Sequence, residues 1–292
     1  MTDQILGSYR NGNYKVLIFS DGSKIRYNKE SALIPDRPES MDIKITNMCD
    51  MGCAYCHEDA KISGAHGDIM AAAFIRNLKP FTELAIGGGN PLSHPQLTEF
   101  LELCKEKELI ASITVNQQHF LQDYDRIKSL ADQKLIHGIG VSLSNPTNEL
   151  IRQVKTLDNT VLHIIAGVNT QAQLEKLYDS DIKLLILGYK TFRRGATFYS
   201  ESVARNLSNI QANMTKIIQH FKTVSFDNLA IKQLKIKDII EDWDKFYMGD
   251  DGAFTMYVDM VKHEFARSSV SEKRYAYQNE PIEEMFRIIR KE

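Results

Sequence analysis

The sequence predicts an α/β fold built on a mostly parallel sheet, and three observations carry that prediction. Six short apolar runs recur between residues 42 and 188, each of strand length. Stretches with helical periodicity separate them. The runs are continuous rather than alternating, as expected of strands covered on both faces and joined by right-handed crossovers.

The elements read in order. "GNYKVLIFSDGSKIRY" (12–27) reads as a β-hairpin, apolar near period two on either side of the Asp21-Gly22 turn pair. A Pro-containing link, "LIPDRPES", follows. The six strands are "DIKIT" (42–46), "ELAIGG" (83–88), "IASITVN" (110–116), "HGIGVSL" (137–143), "TVLHIIAGV" (160–168) and "IKLLILG" (182–188). Helical stretches at 68–79, 96–107, 123–133, 147–157 and 170–180 lie between them. A long amphipathic helix is predicted over 200–222, later strands at "TVSFDNLAI" and "GAFTMYVDM", and a terminal helix after Pro281. The expected organisation is an N-terminal β-ribbon and linker (1–40), a core (41–222), and C-terminal strands and helix (223–292) capping the core.

Composition narrows the function classes. At 292 residues and 43% hydrophobic, the chain can bury a sizeable core. Lys plus Arg is 36 against 38 Asp plus Glu, a net charge of −2 that gives no strong nucleic-acid signal. No apolar run is long enough to span a bilayer, and the polar start has no signal-like apolar region. A cytoplasmic protein with no membrane partner is expected, in which thiols stay reduced and clustered cysteines bind metal or do chemistry.

Three of the four cysteines fall within eight residues, in "MDIKITNMCDMGCAYCHEDA". Cys49, Cys53 and Cys56 could share a helix face as small core residues, but a strand-like run precedes them and Gly52 interrupts them. Structural zinc with His57 as fourth ligand would crowd four donors into nine residues, with Cys56 and His57 adjacent. An iron–sulfur cluster on three thiolates would leave one iron open to a small molecule, which accounts for the missing fourth cysteine.

The C-x₃-C-x₂-C pattern after the first strand of a βα array, with Tyr55 before the last cysteine, resembles the radical S-adenosylmethionine (SAM) superfamily. The resemblance covers roughly residues 41–190. It implies a partial (β/α)₆ TIM-like barrel and a single [4Fe–4S] cluster held by Cys49, Cys53 and Cys56. It also implies reductive cleavage of SAM to a 5′-deoxyadenosyl radical that abstracts hydrogen from a substrate. An external one-electron donor of the flavodoxin or ferredoxin type is implied as well.

By the same resemblance, "GGNP" stands where the family carries Gly-Gly-Glu-Pro, so Gly88, Gly89 and Asn90 would contact the SAM amino group. Asn90 replaces the usual acid and lacks its charge. Tyr55, Asn116, Ser142 (with Ser144 next) and Gly167 are further SAM-site candidates at strand ends, whereas His163 reads as a core histidine. In "GYKTFRRG", Lys190, Arg193 and Arg194 could clamp a substrate carboxylate or phosphate, or be a solvated loop. Asp227 and Asn228 could face substrate or cap a helix. Cys104, in a helical stretch, is a structural thiol, and too few cysteines remain for an auxiliary cluster.

The substrate is expected to be a peptide, added as a strand to the ribbon edge, or a small metabolite or nucleotide. The rival reading is a zinc-stabilised, non-catalytic α/β interaction module.

Overall fold

The computed structural model describes residues 4–29 and 32–292. Of the expected 1–40 unit, residues 1–3, 30 and 31 therefore lie outside the described residues. Two sheets organise the chain. The first is antiparallel, in the order β1 (Ile5–Asn11), β2 (Tyr14–Phe19), β3 (Lys24–Tyr27). The hairpin expected around Asp21-Gly22 is present as β2 and β3, and a further strand has joined it. In β1 the residues that pack inward are Gly7 and Tyr9, both against Phe81, rather than aliphatics, so the run lacked a strand signature.

The second sheet is mostly parallel. Its first six strands in sequence are β4 (Ser40–Thr46), β5 (Glu83–Gly88), β6 (Ile110–Asn116), β7 (Gly138–Ser142), β8 (Thr160–Ile165) and β9 (Lys183–Leu187). They pair in sequence order, all parallel. β10 (Thr223–Phe226) continues the parallel run beyond β9, and β11 (Thr255–Asp259) adds in parallel to the other edge, beside β4. β12 (Glu264–Ala266) and β13 (Tyr275–Ala276) extend that edge antiparallel. The result is a partial TIM-like barrel, as expected, with eight parallel strands where six had been counted.

The helices are α1 (Ala73–Asn77), α2 (Leu97–Glu106), α3 (Gln117–Gln122), α4 (Tyr124–Asp132), α5 (Asn148–Thr156), α6 (Gln171–Glu175), α7 (Arg194–Phe198), α8 (Glu201–Ala212), α9 (Met214–Gln219), α10 (Asn228–Gln233) and α11 (Ile282–Ile289). The helix expected over 200–222 is two, α8 and α9. Asn213 separates them, its side-chain amide donating to the Asn209 carbonyl at 2.8 Å in competition with the helical ladder. Caps follow the sequence signals: Thr147 accepts from Leu150 N, and Thr170 and Gln173 form a capping box.

Strands β5, β6, β8 and β9 alternate in burial. Leu84, Ile86, Ile113, Val141, Leu162 and Ile164 are fully covered by the crossover helices. The opposite row carries Ala85, Gly87, Ser112, Thr114, Asn116, Gly138, Gly140 and Ser142, which are small or polar. Fully packed barrels fill this row with bulky branched residues.

The antiparallel ribbon sits at the amino ends of the parallel strands. Glu39, immediately before β4, accepts from Tyr14 Oη (2.5 Å) and Arg26 Nε (2.9 Å). Lys24 pairs with Glu83, the first residue of β5. Tyr14 meets Phe254, just before β11, edge-on at 6.1 Å. A peptide adding to the ribbon's edge would thus lie at the opposite end of the barrel from the loops after the strands.

Candidate functional site

The cysteine loop follows β4, at the carboxyl end where barrel sites collect. Backbone hydrogen bonds fix its base: Asn47 N to Ala65 O (2.8 Å), Cys49 N to Lys61 O (3.1 Å) and Lys61 N to Asn47 O (3.1 Å). Within it, Cys56 N donates to Cys53 O (3.2 Å) and Asp59 N to Cys56 O (3.3 Å), so turns rather than a helix present the thiols. Gly52 supplies the left-handed residue these turns need, at φ 57°. The core-cysteine reading needs buried thiols on one helix. Cys49, Cys53 and Cys56 are all half-buried on irregular backbone, while Cys104 alone is buried, inside α2.

The three thiols feel one another. Burial, followed by the charges of Cys53 and Cys56 among its neighbours, pushes the Cys49 thiol up. Burial and then Cys56 do the same at Cys53. Such a trio gives up its protons most readily to a bound cationic centre. Soft sulfur donors on a short loop are of the type that suits iron–sulfur chemistry, although among the described residues no three His, Cys, Asp or Glu side chains stand gathered closely enough to hold a metal ion. His57, the nearest candidate for a fourth ligand, has Nε2 3.3 Å from Lys190 Nζ and 3.4 Å from Glu58 Oε1. Burial, then Lys190, lower the His57 pKa, while Glu58 opposes the shift. Burial alone would raise the Glu58 carboxyl, but His57 and Lys44 hold it well below the usual carboxylate range.

The second glycine segment is stitched to this loop. Gly89 N donates to Thr46 O and Asn90 N to Met48 O, each at 2.7 Å. A Cβ on Gly88 would stand 2.3 Å from Thr46 O, and one on Gly89 2.1 Å from Met48 O. Both glycines are thus required by the approach of two backbones just before Cys49. Asn90 Oδ1 accepts from Leu92 N (3.1 Å), capping the short 3-10 turn Pro91–Ser93. Asn116 caps α3 in the same manner, through Gln118 N (2.9 Å). Ser142 ends β7, in register with Asn116 and His163.

Tyr55 lines a small open cleft with His57, Ile165, Val168, Leu187, Gly188, Tyr189 and Lys190. Burial, then Cys53, push the Tyr55 hydroxyl up to about 12, so the ring is a neutral wall. Gly167, beside Val168, has φ 96° and lies under α8, where a Cβ would stand 2.9 Å from Val203.

The expected substrate residues divide. Arg193 and Arg194 turn onto the cysteine loop: Arg193 Nη1 donates to Glu58 O (2.8 Å) and Arg194 Nη2 to Ala60 O (2.6 Å). Their side chains serve that loop in the geometry observed. Lys190 reaches His57 and the hydroxyl of Ser269 (2.9 Å). Asp227 caps α10 through Ala230 N (2.7 Å) and also accepts from Gly188 N (2.9 Å). Asn228 donates to Asp251 Oδ1 (2.7 Å) and Gly249 O (3.2 Å).

Several residues went unread in the sequence. Lys44, buried in β4, bridges Glu58 (2.8 Å) and Asp259 (3.2 Å). His119 pairs with Asp50, beside Cys49, at 2.7 Å. Gln117 holds the loop after β7 through Ser144 N and Asn145 N, each at 3.0 Å. A charged residue inside an apolar strand run was the available signal for Lys44.

Residues 43–179 match the Radical SAM superfamily model. These residues form a radical SAM domain. Among solved structures, Streptococcus suis SuiB bound to S-adenosylmethionine aligns at TM-score 0.62 and 12% identity, over 96% of this chain and 88% of that one. SuiB bound to precursor peptide SuiA aligns at TM-score 0.60 and 15% identity, over 87% of this chain and 65% of that one. The chain thus spans slightly less than two thirds of the peptide-bound structure, and at these identities the likeness establishes the fold. No curated protein sequence matches the chain. Among the described residues, no helix is long and apolar enough to cross a membrane.

Proposed function

We propose that Cys49, Cys53 and Cys56 hold the cluster and that the enzyme abstracts hydrogen from a peptide substrate at the carboxyl-end mouth of the barrel. The observation that carries the first part is the loop itself: three half-buried thiols on turns after β4, stitched by backbone to Gly89 and Asn90. When bound, the cluster supplies the electron that cleaves SAM to methionine and a 5′-deoxyadenosyl radical.

The chain's own residues bind and orient. Tyr55, Ile165, Val168 and Leu187 offer apolar walls to an adenine ring. Asn90, Asn116 and Ser142, at three neighbouring strand ends, offer polar atoms to the rest of SAM. The small inward row of β5, β6 and β7 leaves space for a substrate beside it. Support for a peptide comes from the SuiB relative, described with a precursor peptide bound. An external flavodoxin- or ferredoxin-type donor completes the scheme.

Protein purified without oxygen and reconstituted should be brown and carry about four irons per chain. Cys53→Ala should lose both the colour and SAM cleavage. Zinc in place of iron would return the chain to the interaction-module reading. Incubation with SAM, reductant and deuterium-labelled peptides should move label into 5′-deoxyadenosine. Label arriving only from small metabolites would replace the peptide.

A further inference from the structure

The segment after β9 closes over the stretch that follows Cys56. Arg193 Nη1 donates to Glu58 O at 2.8 Å and lies 3.4 Å from Glu58 Oε2. Arg194 Nη2 donates to Ala60 O at 2.6 Å, with its Nε 3.2 Å from Asp59 Oδ1. The Phe198 ring stands edge-on to Tyr55 at 5.7 Å. Tyr189 Oη donates to Gly195 O at 2.6 Å, which holds the bend of the segment itself. From the opposite side Lys44 grips Glu58 at 2.8 Å, and Tyr257 Oη reaches Glu58 Oε1 at 3.4 Å. The backbone beyond the third cysteine is therefore pinned between the barrel wall and this segment.

The backbone of Arg193 adds a second observation. Its φ of 49° and ψ of −125° belong to a region glycine occupies freely and side-chain-bearing residues avoid. Gly195, two residues later, is needed where it stands, because a Cβ there would lie 2.2 Å from Lys190 O. An arginine held in a glycine conformation points to a side chain whose contacts offset the strain.

We infer that residues 193–198 are a positioning strap for the cluster loop, with Arg193 and Arg194 fixing the backbone after Cys56 rather than engaging substrate. The inference rests on Cys49, Cys53 and Cys56 being the cluster ligands. A cluster held at three corners is lost once one thiolate swings away, so stiffness of the loop sets its lifetime. Two guanidinium groups beside the loop also favour the added electron, so removing them moves the cluster's reduction potential to more negative values.

The test uses the full chain, reconstituted anaerobically, with release of iron to a chelator as the first readout. Arg193→Gly and Arg194→Gln should each release iron roughly tenfold faster than wild type, the loss expected of one charge-assisted hydrogen bond. Arg194→Lys should recover part of the difference. Hydrogen exchange of amides 57–61 in the apoprotein should accelerate in the same two variants. Because glycine suits the backbone of residue 193, apo Arg193→Gly should unfold at no lower temperature than wild type.

Wild-type iron release and exchange in both variants would overturn the strap. So would an apo Arg193→Gly whose melting falls in step with its iron retention, since that marks a purely structural contact. If Arg194→Gln fails to fold, Asp59→Asn removes the same ion pair from the other side. Wild-type protein that takes up no iron would instead sink the ligand assignment, and apoprotein exchange would still decide whether the strap holds the loop.

Discussion

Asn90 is tied three ways: its amide to Met48 O, its side-chain oxygen to Leu92 N, and its carbonyl to the Ser93 hydroxyl. Replacing it by Ala removes a cap worth about 1 kcal/mol and takes away the oxygen we propose as a SAM contact. Asn90→Asp keeps the cap and restores the charge of the family's usual acid. Calorimetric SAM affinity of the reconstituted enzyme should rank Asp above Asn above Ala, and three equal affinities would remove residue 90 from the SAM site. The cysteines could be grouped from the sequence because their spacing is local, and the structure sets all three on one loop after β4. Arg193 was legible only as a cation. Its partner Glu58 lies 135 residues away in sequence, and nothing in a linear pattern announces that pairing. The glycines were read as making room for a ligand, whereas Gly88 and Gly89 already make room for Thr46 O and Met48 O.

Between β7 and β8 a glycine and a histidine explain each other. A Cβ on Gly140 would stand 2.3 Å from His163 Cε1 and 2.8 Å from Thr114 Oγ1, so the imidazole lies where a side chain on β7 would be. Gly140→Ala should cost about 1–3 kcal/mol through overpacking, read from the denaturant midpoint. Burial holds the His163 pKa down to about 4 from 6.5. Below pH 6.5 the unfolded chain takes up a proton that the folded ring refuses until near pH 4. The His163 contribution is therefore complete above 6.5 and is lost as pH falls towards 4. Burial also lowers the His94 and His137 pKa values, which adds to the same slope. His163→Gln should flatten stability against pH between 6.5 and 4, and an unchanged slope would place the titration elsewhere. Strands β5 and β6 were legible to the residue, since continuous apolar runs end at turn-formers. β1 was not, because its buried face is made of Gly7, Tyr9 and Asn11.

Across the molecule, the cysteine loop and the antiparallel ribbon occupy opposite ends of one barrel. The cysteine loop and strap lie beyond the carboxyl ends of the strands, and the ribbon covers the amino ends through Glu39, Glu83 and Phe254. The sequence showed a ribbon and a barrel but not which end the ribbon covers, because that depends on the charges of Lys24 and Arg26 finding Glu39 and Glu83 across the linker. Glu39 is the hub, 2% exposed, with Tyr14, Lys24 and Arg26 all on its carboxylate. Glu39→Gln keeps the shape but leaves Arg26 without its carboxylate in a nearly buried position, a loss on the order of 3–5 kcal/mol. The ribbon should then be cut faster by protease between β2 and β3, and the unfolding midpoint should fall. Because the cysteine loop draws its contacts from Lys44, Arg193 and Arg194 at the other end, the folded fraction of Glu39→Gln should still take up the wild-type number of irons. A variant that folds yet cannot hold iron would show the two ends to be coupled, and the division of the barrel into a closed floor and a working mouth would fail.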